Sequence, residues 1–209
     1  KDSKRLQTSW GERPVWVAGS PHQGEDEQIL AAHNRVRSRH PSALLVLVPR
    51  HPQRFDDVAK LCQQRGECIA RRSHGETVDA QTTIYLGDTM GEMMLLYGCA
   101  DIAFVGGSLV PIGGHNLLEP AVLGVPVISG PELSNFSDVA ERLREAEALV
   151  EVSDAEALGE AVNELLAAED RCRRMSDAGL ATIDANRGAL QRTLSGLDRL
   201  LENNAEQQS

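Results

Sequence analysis

Gly106-Gly107-Ser108 and Gly113-Gly114-His115-Asn116-Leu117-Leu118-Glu119 carry the strongest chemical signal in this chain, directly after the apolar run Ile102-Ala103-Phe104-Val105. Glycines at a strand end reach φ > 0 and keep side chains off a pocket floor. Ser108 adds a hydroxyl. Gly113 and Gly114, ahead of a helix start, are placed to form a nest of backbone N–H groups for an anion. His115 or Asn116 suits the helix N-cap. Glu119, three residues after Asn116, is either the partner of a capping box or a carboxylate for two ribose hydroxyls. A plain glycine turn before a capped helix is the structural alternative.

Two further segments suit the same pocket. In Pro49-Arg50-His51-Pro52, Arg50 comes straight after an apolar run. A guanidinium there can clamp a phosphate or carboxylate in bidentate fashion, or pair with a surface Asp. His51 either assists it or packs in the loop. In Asp88-Thr89-Met90-Gly91-Glu92, Asp88 and Thr89 read as a helix cap and Gly91 as a close-approach point in the first turn. Glu92 suits a capping box, a base or a ribose, and Met90 a base edge or the core. Asn135 and Ser137 either line the other side of the cleft or cap the next helix. No nucleophile–base pair stands out, although Asp88 and Glu92 could form a carboxylate pair. The six histidines are scattered, so no metal site is expected. G-x-G-x-x-G, the P-loop and G-x-S-x-G are all absent.

Elements of one kind must hold these segments. Apolar runs predict strands over 14–19, 43–48, 68–70, 82–86, 102–105, 125–128 and 148–152. Between and after them, helices are expected over 24–39, 54–65, 90–97, 116–123, 136–146, 154–168, 170–186 and 188–202. Strands alternating with helices at this spacing specify an α/β fold, a Rossmann-like doubly wound parallel sheet. Ala43–Val48 is a continuous apolar run, as a central strand covered on both faces requires. Pro126 argues against a fully hydrogen-bonded central strand at its position. The loops after Gly19, Val48, Leu86, Val105 and Ser129 then converge on one edge of the sheet, where ligands of such sheets bind. Residues 1–13 read as a polar linker, 14–202 as one nucleotide-binding domain and 203–209 as a loose tail.

Composition narrows the class. The chain has 209 residues, 41% of them hydrophobic and 3% aromatic, with a net charge of -10. That charge disfavours nonspecific nucleic-acid binding, which needs a basic footprint. It leaves room for a local basic groove, because Arg35, Arg37, Arg39, Arg50, Arg54, Arg71 and Arg72 cluster early in the chain. Cys62, Cys68, Cys99 and Cys172 form no C-x-x-C pair and read as free thiols. No stretch is long and apolar enough to span a membrane, and no signal peptide is visible. Starting at Lys1 without Met, the chain is expected to be a fragment or a processed product.

Taken together, the Arg50, Met90–Glu92, Gly106–Ser108, Gly113–Glu119 and Asn135-Phe136 segments resemble one family. It is the C-terminal, nucleotide-binding half of the 3-deoxy-D-manno-octulosonate (Kdo) transferases of bacterial lipopolysaccharide synthesis. The resemblance covers roughly residues 13–202. It implies the C-terminal half of a GT-B glycosyltransferase, with CMP-Kdo as donor, a lipid A precursor as acceptor, inversion at the sugar and no cofactor. CMP contacts are implied for Pro49, Arg50, Met90, Gly91, Glu92, Gly107, Ser108, Asn116, Leu117, Leu118 and Glu119, with Glu119 at the ribose. The general base, the membrane-associating region and much of the acceptor site are implied to lie in an N-terminal domain absent from this chain. The expected location is the cytoplasmic face of the bacterial inner membrane. A UDP-sugar GT-B transferase half, a sugar 2-epimerase half and a non-catalytic nucleotide-binding module are the alternatives. One stretch departs from the family pattern: Pro21 and Gln23 stand in Ser20-Pro21-His22-Gln23-Gly24-Glu25 where Thr and Glu are common.

Overall fold

The computed structural model describes residues 1–185. Its elements run α1 (Asp2–Ser9), β1 (Val15–Gly19), α2 (Asp26–Arg39), β2 (Leu44–Val48), α3 (Phe55–Gln64), β3 (Ile69–Arg71), β4 (Ile84–Leu86), α4 (Met93–Tyr97), β5 (Ile102–Val105), α5 (Leu118–Val122), β6 (Val127–Ser129), α6 (Ser137–Glu145), β7 (Leu149–Glu151) and α7 (Ala155–Ala167). A last helix, α8, occupies 169–185. The helix expected over 188–202 and the tail from 203 lie outside the described residues.

All seven strands form one parallel sheet in the order β3-β4-β2-β1-β5-β6-β7. β1, β2 and β5 are buried at every position, so their apolar residues alternate between two cores. Trp16, Ala18, Leu45, Leu47 and Phe104 join α2, α3 and α7 on one face. Val15, Val17, Val46, Val105 and Val127 meet α4, α5 and α6 on the other. α8 contributes Met175 to the first core and Ile183 to the second. The doubly wound parallel sheet expected from the alternation is the fold observed.

Three local expectations are corrected. The polar lead-in is an ordered helix: Leu6 packs on the second core and buried Trp10 tilts against Tyr85, ring centroids 5.0 Å apart. β6 lies inside the sheet despite Pro126, because the proline sits just ahead of the strand and needs only its carbonyl, which accepts from Ala103 N–H. The segment 88–97 does not begin its helix at Met90. Gly91 takes φ +77 and breaks the backbone path, so α4 starts at Met93 with Glu92 at the N-cap. All four cysteines are free, as expected, and burial pushes the Cys62 thiol up to about 12.

One buried polar chain runs along the α2 face of the sheet, from β1 to the residue ahead of β4. Trp16 Nε1–H donates to His33 Nδ1 at 3.1 Å, which leaves His33 Nε2–H to donate to the Thr83 carbonyl at 2.9 Å. This arrangement needs a neutral imidazole. Burial first of all pushes the His33 pKa down to about 3. Below its ordinary value of about 6.5 the unfolded chain gains a proton that the folded protein refuses, so stability falls on acidification. At about pH 5 the loss through this residue amounts to roughly 2 kcal/mol. Urea unfolding at about pH 7.5 and about pH 5 should therefore show His33→Leu losing less stability on acidification than the parent, by that amount; equal losses would refute the assignment.

Candidate functional site

The strand order places the topological switch between β1 and β5, since successive connections run outward from β1 through β2 and return through β5. In open α/β sheets the crevice beyond the strand C-termini at this point is where ligands bind. Two loops meet there, 20–25 after β1 and 106–117 after β5. The main-chain N–H of Gly106 donates to the Gly19 carbonyl at 2.8 Å, continuing the pairing past the strand ends. A Cβ on Gly106 would lie 2.6 Å from Pro21 Cα and 2.8 Å from the Ser20 carbonyl carbon. Both neighbours are backbone, so glycine is required by contact.

A buried carboxylate closes the junction. Glu25 is fully buried at the N-cap of α2 and makes no side-chain cap to its own helix. Instead its Oε2 accepts from His22 N–H at 2.8 Å and Gly107 N–H at 2.7 Å. Its Oε1 accepts from Ser108 and Leu109 N–H, each at 3.0 Å. An N–H nest open to a ligand was expected at Gly113-Gly114, but Gly114 N–H donates to the Gly107 carbonyl at 2.7 Å. The nest forms instead at 107–109, and a side chain of the protein fills it. Ser108 is also engaged internally: its hydroxyl donates to the Val105 carbonyl and accepts from Gly130 N–H. In the sequence Glu25 stands at the start of the helix expected over 24–39 and at the end of the Ser20–Glu25 stretch of the family resemblance; no local spacing marks it as a ligand for a loop 82 residues away.

Above this floor sit three imidazoles. His22 and His115 stack with centroids 4.9 Å apart, and their Nε2 atoms approach to 2.7 Å. One Nε2 must donate and the other accept, so the two nitrogens share a single proton. Burial, then the His22 and Arg50 charges, push His115 down to about 4, and burial also lowers His22. His51 meets His22 edge-on at 5.4 Å. Among the described residues, no group of three or more His, Cys, Asp or Glu is placed to hold a metal ion.

The arginines separate into two kinds. Arg35 and Arg39 pair with Glu160, Arg37 with Glu67, Arg54 with Asp26, Arg71 with Asp56 and Asp88, and Arg72 with Glu92. Arg50, exposed at the end of β2, has no ion-pair partner among the described residues. Its charge reaches His22, His115 and Glu119. Glu119 is half-buried in α5; burial raises its pKa while Arg50 opposes the rise. Its charge also bears on the buried Tyr97 hydroxyl, which stands where a Cβ on Gly19 would lie. Arg50, just past β2, and Glu119, in α5, thus lie within electrostatic reach of each other.

The other expected residues divide. Asp88 does not cap a helix: it is buried and accepts from Ser73 N–H at 2.8 Å and the Ser73 hydroxyl at 2.6 Å. Burial works against its charge, but the Ser73 hydrogen bonds and then Arg71 hold its carboxyl below the ordinary range. Glu92 is pulled down to about 2, chiefly by hydrogen bonds from Arg72, and also accepts from Thr89. Two neighbouring arginines thereby neutralise the suggested Asp88–Glu92 pair. Met90 is 63% exposed, which excludes the core role, and beside it Gly91 has open space where a Cβ would be. Pro49 and Leu117 are buried. Asn116 Oδ1 accepts from Leu118 N–H at 3.1 Å, with α5 starting two residues later than expected. Asn135 Nδ2–H donates to the Ile112 carbonyl and Asn135 N–H to that of Gly113, tying the loops after β5 and β6. Pro21 is buried against Gly106, with its carbonyl accepting from Arg54 at 2.7 Å, while Gln23 is exposed.

Residues 18–181 match the family model described as "Glycosyl transferases group 1". The chain belongs to that family. Within this glycosyl transferase family it is 47% identical over 201 residues to the 3-deoxy-D-manno-octulosonic acid transferase of Haemophilus influenzae, covering 95% of this chain and 47% of that protein. It is 40% identical over 190 residues to the enzyme of the same name from Bordetella pertussis, covering 89% and 44%. The chain thus spans about half the length of these curated relatives. Among solved structures it resembles the C-terminal CMP-Kdo binding domain of WaaA from Acinetobacter baumannii, with a TM-score of 0.83, 34% identity and coverage of 87% of this chain and 95% of that one. The seven-stranded sheet is accordingly the Rossmann-like C-terminal half of a GT-B glycosyltransferase.

Gly106→Ala tests the junction directly. Backbone on the far side cannot retreat cheaply, so the variant should lose about 1–3 kcal/mol of stability in denaturant unfolding. A loss below a few tenths would mean that the two loops are not in contact.

Proposed function

We propose that this chain is the donor-binding half of an enzyme that transfers Kdo from CMP-Kdo to a lipid A precursor with inversion. The observation that carries the reading is Arg50: a guanidinium without an ion-pair partner among the described residues, at a switch-point crevice, within electrostatic reach of a half-buried carboxylate. A phosphate needs such a cation, and a ribose diol needs an acceptor such as Glu119. The CMP-Kdo binding description of the Acinetobacter baumannii domain supports this choice of ligand.

In this reading Arg50 clamps the single phosphate of CMP and Glu119 accepts from the ribose hydroxyls. The exposed rim Met90-Gly91-Glu92 receives the base, with Arg72 fixing Glu92. Asn116, Leu117 and Leu118 carry Glu119 to its position. Gly107 and Ser108 supply the floor through their backbone, their own donors being engaged. An acceptor hydroxyl oxygen forms the new bond to the anomeric carbon as the bond to the phosphate oxygen breaks. The electron pair passes to the phosphate, where Arg50 offsets the developing charge. The proton of the attacking hydroxyl goes to a base assigned to the N-terminal half, which also carries most of the acceptor and membrane contacts. The lipid acceptor places the whole enzyme at the cytoplasmic face of the inner membrane. Among the described residues, no helix is long and apolar enough to cross a membrane.

Calorimetric titration with CMP, UMP and UDP tests the reading. CMP should bind most tightly, Arg50→Ala should weaken it about tenfold or more and Glu119→Gln about fivefold, both with the parent's thermal midpoint. Preference for UDP, or unchanged CMP affinity in both variants, would overturn it.

A further inference from the structure

We propose that Glu25 is a built-in anion that limits the donor site to one phosphate, making this residue a determinant of nucleoside monophosphate over nucleoside diphosphate recognition. The inference rests on the nucleotide reading of the crevice and adds a selection rule to it.

The geometry is that of an anion site already in use. Gly107, with φ +69, Ser108 and Leu109 present three successive N–H groups, and His22 supplies a fourth from the opposite loop. Convergent backbone N–H groups of this kind form concave anion sites in phosphate-binding loops. Each oxygen of Glu25 takes two of the four, and the side chain has no solvent exposure. A carboxylate is acceptor-only when ionised, so the match of two oxygens to four donors is complete.

Space and charge then act together. The loops around the nest are in contact: Gly106 meets Pro21 backbone, and a Cβ on Gly107 would lie 3.0 Å from His115 and 3.4 Å from His22. The stacked histidines cover the same glycine. A second phosphate finds these N–H groups occupied, little room beside them and a like charge beneath. Arg50 is the one cation of the early arginine cluster without a carboxylate partner among the described residues, which suits one phosphate. Simple attraction to Arg50 favours the more highly charged diphosphate; selection for the monophosphate therefore requires an opposing feature, and Glu25 supplies it.

The experiment compares CMP with CDP by calorimetry on the full chain and on Glu25→Ala and Glu25→Gln. The parent should bind CMP about tenfold more tightly than CDP. Both variants should bring the ratio below about threefold, Glu25→Ala by emptying the nest and Glu25→Gln by removing the charge at constant size. Thermal unfolding gives a second readout: formate, which carries the same carboxylate, should raise the midpoint of Glu25→Ala by several degrees and leave the parent unmoved. Equal affinity of the parent for CMP and CDP overturns the proposal, as does a tenfold preference retained in a folded variant. If Glu25→Ala does not fold, Glu25→Gln and the parent ratio decide. Failure of the parent to bind either nucleotide refutes the nucleotide reading instead, while absence of formate rescue in a folded Glu25→Ala refutes the nest.

Discussion

The crevice depends on one buried carboxylate. Two loops from adjacent parallel strands carry a row of N–H groups with no strand partner beyond the sheet edge. Glu25 satisfies four of them at once and joins His22 to Gly107, Ser108 and Leu109. Once this junction is fixed, Gly106 can rest on Pro21, His115 on His22, and Ser108 can turn inward to bond the loop after β6. Backbone N–H groups left without acceptors in such a setting would be costly, so the positions of the surrounding side chains follow from this bond set.

The distribution of ion pairs makes the same point from the charged residues. An acidic chain neutralises nearly all the arginines of its early cluster, some to lock loops and some to brace helices. Arg71 and Arg72, adjacent in sequence, hold Asp88 and Glu92 at the two ends of the segment that leads into α4. Leaving Arg50 outside this arrangement gives the crevice a localised positive charge on a protein of net charge -10. Within that early cluster, the attraction for an anion falls to Arg50.

Much of this was legible in the amino-acid order, and the limits have physical causes. Period and strand length revealed the parallel sheet because β1, β2 and β5 are buried on both faces and therefore apolar throughout. The glycine turns and Arg50 were visible because their special backbone or charge stands directly after a strand. α1 escaped because an eight-residue polar helix with one packed leucine carries little periodic signal. The start of α4 was misplaced because a glycine inside an apolar segment does not reveal the sign of its φ. Glu25 escaped because its partners come from a loop remote in sequence, and helix polarity offered a sufficient local explanation for an acid there.

The two tryptophans occupy opposite faces of the sheet. Trp16 lies wholly inside the first core, hydrogen-bonded to His33. Trp10 closes the second core against Tyr85, whose hydroxyl accepts from the same Arg72 that holds Glu92 at the rim. The molecule therefore contains two natural fluorophores with separate duties. Emission from one follows the integrity of the interior, and emission from the other follows the docking of the N-terminal helix and, through Arg72, the rim of the crevice.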